Sequence, residues 1–313
     1  MKDKQVIKAV LLGILANFFL SVGLIVNSLM ATSGSHWAWT ASLRYLLLLP
    51  MLLLIVVAQK KVIPLLKIFR LNGKMFLIWG NISFGIFYGF LTYASLYGPG
   101  WLVAAGFETT ILAGLILSPV IYKDHRAKIP ANAFILSSVL VVCIIIMQID
   151  RFRTINDGKA IGISLMFSLV AAFLWPLGNR KLMLTMELKN IQLNSYQRVL
   201  GMTIGSLPSL IVLAVFGFYE SGLPGKFQLV TSLLAALLSG VMGSVLFYRA
   251  IQLVKDNSVA LATVEATQVT TIFFTLIAEV LLKGMEWPGI IGLTGCVLMI
   301  ASLIYYSFYS IKR

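Results

Sequence analysis

The chain has 313 residues, of which 59% are hydrophobic and only 12% are Asp, Glu, Lys or Arg. A soluble domain carries about twice that share of charge, and a water-soluble fold could not hide this much apolar surface. The composition therefore excludes an ordinary soluble protein and indicates an integral membrane protein surrounded by lipid. The net charge of +14 does not indicate nucleic-acid binding, because the basic residues lie between apolar segments instead of forming a basic domain.

Ten apolar stretches follow one another, each close to the roughly 20 residues that cross the hydrocarbon layer as a helix. They cover residues 6–29, 36–58, 75–96, 101–122, 130–148, 160–180, 195–217, 227–249, 258–281 and 288–309. The sequence therefore predicts an all-α integral membrane protein with ten transmembrane helices. The first stretch is too long for the apolar part of a signal peptide, so we interpret it as an uncleaved helix.

The distribution of basic residues predicts the orientation. With a cytoplasmic N-terminus, inside segments hold 18 of the 25 Lys and Arg residues and outside segments hold 5, while Arg44 and Arg198 lie within helices. This asymmetry fits the positive-inside rule with both termini in the cytoplasm. Without a transit or retention signal, we expect a bacterial cytoplasmic membrane.

The two parts of the chain resemble each other at an offset of about 153–158 positions. Ser42–Arg44 matches Tyr196–Arg198, Glu108–Thr110 matches Glu265–Thr267, and Pro130 matches Pro288. Five helices per half is an odd number, so the second half must enter the membrane from the opposite side. We expect one membrane domain of two inverted repeats, residues 1–150 and 151–313, with a site near the midplane as in many secondary transporters.

The sequence also resembles the drug/metabolite transporter superfamily, in its ten-helix EamA-like branch. The C-terminal resemblance is carried by Ala250-Ile251, Val259–Ala262, Phe273, Glu279–Gly284, Gly292 and Gly295. Gly34–Trp37 and Ala41–Tyr45 resemble a subgroup of multidrug resistance efflux transporters. The family's usual Leu-Gly-Glu after helix 9 is Leu282-Lys283-Gly284 here, so no role tied to that Glu carries over. The resemblance implies the fold and a transport role without naming a substrate.

Four charged residues lie inside apolar helices, namely Arg44, Glu108, Arg198 and Glu265. Charge in a membrane is costly, so each should face a partner or a wet cavity. One hypothesis is that Glu108 and Glu265 bind protons or a cationic group, since burial favours a neutral carboxyl and a nearby Arg favours the ionised one. The alternative is two Arg–Glu pairs that hold helices together. Glu279 is a weaker candidate, placed near the membrane interface.

Uncharged residues complete the candidate substrate site. Trp175, Tyr93 and Tyr248 offer ring faces for cation–π contact, and Gln268 offers a polar side chain within helix 9. Pro176 in helix 6 and Gly23 in helix 1 occupy corresponding positions where both helices could bend. Packing and helix–helix hydrogen bonding explain these residues equally well.

The sequence therefore favours a secondary active transporter, with proton-coupled efflux of small cationic, aromatic or amphipathic molecules as the leading hypothesis. One alternative is an exchanger of anionic or phosphorylated metabolites that uses Arg44 and Arg198. A membrane-embedded enzyme or a non-transporting scaffold is less favoured, because we find no catalytic cluster. No P-loop, metal-ligand motif or cofactor motif occurs in the sequence. We expect a small-molecule substrate, protons as the coupling ion, and a monomer or homodimer.

Overall fold

The structure is a computed structural model that describes residues 2–129, 131–152, 157–284, 287 and 289–311. These residues form helices, turns and loops, and no strand occurs among them. The α-helices are α1 Lys2–Thr32, α2 Trp37–Ala58, α3 Val62–Gly80, α4 Phe87–Ala94, α5 Gly100–Glu108, α6 Thr110–Ile116, α7 Ser118–Ile121, α8 Ala131–Phe152, α9 Gly158–Leu188, α10 Ser195–Ser221, α11 Lys226–Ala235, α12 Ser244–Val254, α13 Ser258–Ala266, α14 Val269–Lys283 and α15 Ile290–Ile311. Asn81–Ile86 and Ala236–Gly243 are π-helical.

Within the described ranges, eight helical segments are long and apolar enough to cross a membrane. They are Lys4–Thr32, Trp37–Ala58, Val62–Ala94, His125–Met147, Gly158–Leu188, Ser195–Ser221, Lys226–Val254 and Val259–Leu282. Gly100–Ile116 and Ile290–Tyr305 are apolar but shorter. The all-α membrane fold is confirmed, whereas ten crossings and inverted halves stay predictions. The matched Pro130 and Pro288 lie outside the described residues.

The bounds of the third and sixth helices differ from the predicted ones. α3 begins at Val62 instead of residue 75, but its backbone is non-helical at Asn72 (φ −131°, ψ 23°), so a short amphipathic helix that exposes Ile63 and Leu66 precedes the predicted membrane helix. The basic residues of this segment made it resemble a loop in the sequence. The sixth helix continues to Leu188 instead of ending at residue 180, which places Arg180 inside the helix.

Many polar side chains are buried within the largely apolar core of the bundle, and many other large apolar side chains point outward. Asn17, Ser42 and Thr203 are fully buried, while Leu54 and Val212 are about two-thirds exposed or more. In a bilayer the apolar side chains face lipid, and buried hydroxyl and amide groups hydrogen-bond between or within helices. The bundle therefore supplies buried polar groups that can hold charged residues away from lipid.

Helices α3 and α10 approach so closely that glycine is required at their contact. A Cβ atom at Gly80 would lie 2.7 Å from the carbonyl oxygen of Met202, and one at Gly205 would overlap the carbonyl group of Phe76. Small residues permit this kind of backbone approach between membrane helices. The contact fixes α10, the helix that carries Arg198, against α3.

We predict that Gly205→Ala lowers the thermal unfolding midpoint in detergent by about 5 °C or more, because the new methyl group must displace backbone. Gly162→Ala in α9 is the matched control. No atom lies within 4 Å of a Cβ added at Gly162, so its midpoint should stay level or rise slightly. Equal midpoints for Gly205→Ala and the wild type would contradict the close packing.

Candidate substrate cavity

A cavity of about 60 Å³ lies inside the bundle, between the N-terminal and C-terminal parts of the chain. Its walls come from α1, α2, α4, α5, α9, α12 and α14 together with the adjoining turns. Five of the eight predicted site residues line it, namely Arg44, Glu108, Trp175, Tyr248 and Gln268. The structure thus brings most of the predicted site together from helices that are far apart in sequence.

Glu108 is the carboxylate of this cavity. Its side chain is 1% exposed, and neither carboxylate oxygen accepts a hydrogen bond from any residue that the structure describes. Aromatic rings, including Phe107 and Trp175, line the same space. An ionised carboxyl in such surroundings is strongly disfavoured unless a proton or a cation neutralises it.

A helix interruption positions Glu108. It is the last residue of α5, and Thr109 follows with φ −61° and ψ −8°, which breaks the regular helix. The Thr109 hydroxyl donates to the Gly106 carbonyl at 2.7 Å. A similar break follows Glu265, where Thr267 has φ −61° and ψ −16° and its hydroxyl donates to the Val264 carbonyl at 2.6 Å.

The sequence predicted such helix irregularities at other positions. The predicted bends at Gly23 and Pro176 are not interruptions, because α1 and α9 run as continuous helices through both positions. Gly23 has a different use. A Cβ atom there would lie 2.6 Å from Nη1 of Arg44, so the glycine leaves the room that the guanidinium occupies.

Arg44 does not pair with Glu108. Its Nη2 donates to the Ser239 hydroxyl at 2.7 Å, and its guanidinium carbon lies 4.4 Å from the centre of the Tyr88 ring. The Tyr88 hydroxyl donates to the side-chain oxygen of Asn27 at 2.7 Å. Ser239 belongs to the π-helical segment Ala236–Gly243. An irregular stretch of backbone therefore places the hydroxyl that accepts the hydrogen bond from Arg44.

The same arrangement recurs around Arg198. Its guanidinium carbon lies 4.4 Å from the centre of the Tyr248 ring, and its Nη2 donates to the Asn179 carbonyl at 3.1 Å. The Tyr248 hydroxyl donates to the side-chain oxygen of Asn179 at 2.5 Å. Tyr248 lines the central cavity, whereas Arg198 lines a separate cleft with Lys61.

Glu265 lies in a different environment from Glu108. Arg180 Nε donates to Oε1 of Glu265 at 3.1 Å, and Arg180 Nη2 pairs with Oε2. Arg180 Nη1 also donates to the Gly114 carbonyl at 2.5 Å and to the Ser118 hydroxyl at 2.8 Å. Glu265 therefore has a partner, Arg180, that the sequence placed at the very end of the sixth helix, because the length of that helix was underestimated.

Two further predicted residues lie away from the cavity. Tyr93 lines a groove of about 610 Å³ with Trp37 and Phe167, and its ring centre lies 5.0 and 4.8 Å from theirs. Glu279 is 1% exposed and accepts a hydrogen bond from Ser28 at 3.3 Å. Its carboxyl therefore lies inside the bundle, near the C-terminal end of α14.

Sequence analysis did not single out Tyr88 or Tyr45, which both line the cavity near Arg44. Tyr88 corresponds in structure to Tyr248, since each ring lies under an arginine and each hydroxyl contacts an asparagine. A search for aromatic residues shared by the two halves could have found it. The signal is weak, because the offset between Tyr88 and Tyr248 is larger than that of the other matches.

The chain matches the model of the EmrE family, described as "Putative multidrug resistance efflux transporter", over residues 7–312. It is 36% identical over 315 residues to "Uncharacterized protein YjlA" of Bacillus subtilis (strain 168), which covers 98% of this chain and 96% of that protein. It is 38% identical over 251 residues to the "Uncharacterized 42.1 kDa protein in intracellular alkaline protease 3'region" of Shouchella clausii, covering 78% of this chain and 65% of that protein. A solved crystal structure at 10% identity aligns with a TM-score of 0.68 over 94% of both chains and shows the same fold.

An apolar helical bundle around a charged internal cavity defines a multi-pass membrane transporter. With a family match across nearly its whole length, this chain belongs to the EmrE family of multidrug resistance efflux transporters, within the drug/metabolite transporter superfamily. The resemblance drawn from the sequence is confirmed. The family describes a transporter rather than an enzyme, with a small-molecule substrate and a surrounding lipid bilayer.

We predict that Glu265→Gln destabilises the protein by about 3–5 kcal/mol, because it leaves the Arg180 guanidinium buried without its counter-charge. Thermal unfolding in detergent measures the change. Glu187→Gln is the matched control. The Glu187 carboxyl is half-exposed, and its partner Arg126, at 2.8 Å, keeps a second carboxylate in Asp124, so the loss should be about 0–1 kcal/mol. Equal effects of the two substitutions would show that the Glu265 pair does not stabilise the bundle.

Proposed function

We propose that this protein is a secondary active transporter that exports small cationic, aromatic or amphipathic molecules in exchange for protons, with Glu108 as the shared binding group. The observation that carries the proposal is the burial of the Glu108 carboxyl in the cavity without a hydrogen-bond donor among the described residues. A proton and a cationic substrate both neutralise that group, and they compete for it. Such competition couples one flow to the other when access to the cavity alternates.

The ring faces in the cavity support a cationic, aromatic substrate. Tyr45, Phe107 and Trp175 line the same space as the carboxyl. A cation is attracted to an aromatic face, most strongly where water is excluded, and flat apolar substrates stack on such rings. The cavity therefore offers both a counter-charge and a surface for the apolar part of the substrate.

The coupling role belongs to Glu108 and not equally to both glutamates. Glu265 is engaged by Arg180 through two guanidinium nitrogens, so neither a proton nor a substrate is needed to neutralise it. We assign Glu265 and Arg180 to holding α13 against α9. This assignment replaces the symmetric hypothesis, in which both glutamates take up protons.

Matched local structure supports the two inverted halves, residues 1–150 and 151–313. Each half has an arginine over a tyrosine ring, with the tyrosine hydroxyl bonded to an asparagine. Each also has a π-helical segment and a helix interrupted beside a glutamate. Ten crossings, with both termini on the cytoplasmic side of a bacterial membrane, fit this arrangement and the excess of basic residues in the predicted inside segments.

The anion-exchange alternative has less structural support. It needs Arg44 and Arg198 to hold one anion, but Arg198 lines a cleft separate from the central cavity. Arg44 lines the central cavity, yet its guanidinium already donates to Ser239 and lies over the Tyr88 ring. The arrangement of the site therefore favours a cationic substrate.

Transport in proteoliposomes with an imposed pH gradient tests the proposal, using a panel of aromatic cations and a panel of organic phosphates. We expect proton-driven movement of cations by the wild type and a reduction to background in Glu108→Gln, which lacks the titratable group. Glu220→Gln, the same change at an exposed position, is the control and should transport normally. Full pH-dependent transport by Glu108→Gln, or movement of phosphates alone, would overturn the proposal.

We also predict that the exchange of one proton for one monovalent cation is electroneutral. Arg44 beside a protonated Glu108 gives the cavity a net charge of +1, and Arg44, ionised Glu108 and a bound cation give the same total. Setting the membrane potential with potassium and valinomycin should therefore leave the rate unchanged within about twofold, at a fixed pH gradient. A steep dependence on potential would exclude this stoichiometry.

A further inference from the structure

We infer that the cavity selects cations that carry N–H groups, such as primary and secondary ammonium ions, over their fully methylated analogues, and that Asn17 and Gln268 determine this selectivity. This inference rests on the proposed function, because it concerns the substrate class of the Glu108 cavity. The inferred selectivity depends on the number of oxygen acceptors that line the cavity, in addition to the negative charge of Glu108.

Four buried oxygens in the cavity lining accept no hydrogen bond from the described residues. They are the two carboxylate oxygens of Glu108, Oδ1 of Asn17 and Oε1 of Gln268. All three side chains are at most 3% exposed. A buried acceptor without a donor is destabilising by about 1–3 kcal/mol, so a ligand that donates to several of them gains affinity from each.

The orientation of Asn17 follows from its neighbours. The Thr267 hydroxyl donates to the Val264 carbonyl at 2.6 Å, so its oxygen is left to accept. Asn17 Nδ2 donates to that oxygen at 2.9 Å. The Asn17 carbonyl oxygen must then be the atom without a protein donor, and it belongs to a residue of the cavity wall.

Gln268 is held by the interruption between α13 and α14. Its backbone N–H donates to the Glu265 carbonyl at 3.0 Å, and its own carbonyl accepts from the Thr271 N–H at 2.8 Å. The backbone at Gln268 is therefore fixed by the same break that follows the Arg180–Glu265 pair. Its side chain contributes to the cavity wall with Glu108 and Asn17.

The size of the cavity agrees with a small head group. The cavity volume of about 60 Å³ accommodates roughly four water molecules. An ammonium head with N–H groups is smaller than one with three methyl groups and can donate to up to three oxygens. A trimethylammonium head keeps the charge and the cation–π attraction but has no proton to donate, so the four oxygens stay unsatisfied.

Binding of matched pairs to the full-length protein in detergent tests the inference by isothermal titration calorimetry at pH 8. The probes are phenethylamine and tryptamine, each compared with its N,N,N-trimethyl derivative. We expect each primary amine to bind about tenfold more tightly or better, because hydrogen bonds from a charged donor are strong. Equal affinity within a pair, or tighter binding of the trimethyl compound, would overturn the inference and leave the proposed function intact.

Variants separate the selectivity from the charge. Gln268→Met keeps the length of the side chain but removes its acceptor, so the preference for primary amines should fall about threefold or more while the trimethyl compounds bind as before. Asn17→Leu should act in the same direction. Gln192→Met, at an exposed position outside the central cavity, should leave the preference unchanged.

Glu108→Gln distinguishes the proposed function from the inferred selectivity. This substitution should weaken the binding of both compounds of each pair. Failure of all four compounds to bind the wild type, or full binding to Glu108→Gln, would overturn the proposed function together with this inference. An unchanged preference in both Gln268→Met and Asn17→Leu would remove the assigned role of these two side chains.

Discussion

The arrangement of this transporter depends on the Glu108 carboxyl, which is buried in a membrane bundle and receives no hydrogen bond from the described part of the chain. Lipid offers no hydrogen bonds, and the described protein groups offer none to the oxygens of Glu108. The group must therefore be neutralised from outside the protein structure, by a proton or by a cation. In the proposed mechanism, coupling between the proton and the cation follows from this single constraint, because the two ligands satisfy the same atoms and exclude one another.

The other buried charged groups each have at least one hydrogen-bond partner in the bundle, and the contrast makes Glu108 distinctive. Glu265 is bound by Arg180, while Arg44 and Arg198 each lie over a tyrosine ring and donate to a protein oxygen. These groups hold helices in register from within. The two parts of the chain thus share a local framework, but they differ in whether the glutamate is already neutralised.

Irregular backbone segments place these charged side chains. The locations of those segments could not be predicted from glycine and proline residues alone. Helix α9 continues through Pro176, whereas the helix interruptions after Glu108 and Glu265 fall at threonines. A threonine hydroxyl can bond to a carbonyl of the preceding turn, which allows a helix to change direction without an unsatisfied backbone group. Threonine also occurs in regular helices, so its local role depends on the packing around it.

Composition and hydrophobic spacing determined the membrane class, the positions of most helices and the four charged residues to be explained, because a charge inside an apolar run is costly in any fold. Only the tertiary structure decided the partners, since a side chain's partner depends on helix rotation and on neighbours far away in sequence. Arg180 reaches Glu265 because α9 is longer than its apolar run, and Arg44 turns to Ser239 and Tyr88 because Gly23 leaves room. For the same reason Glu108 lines the cavity with no hydrogen-bond donor among the residues that the structure describes.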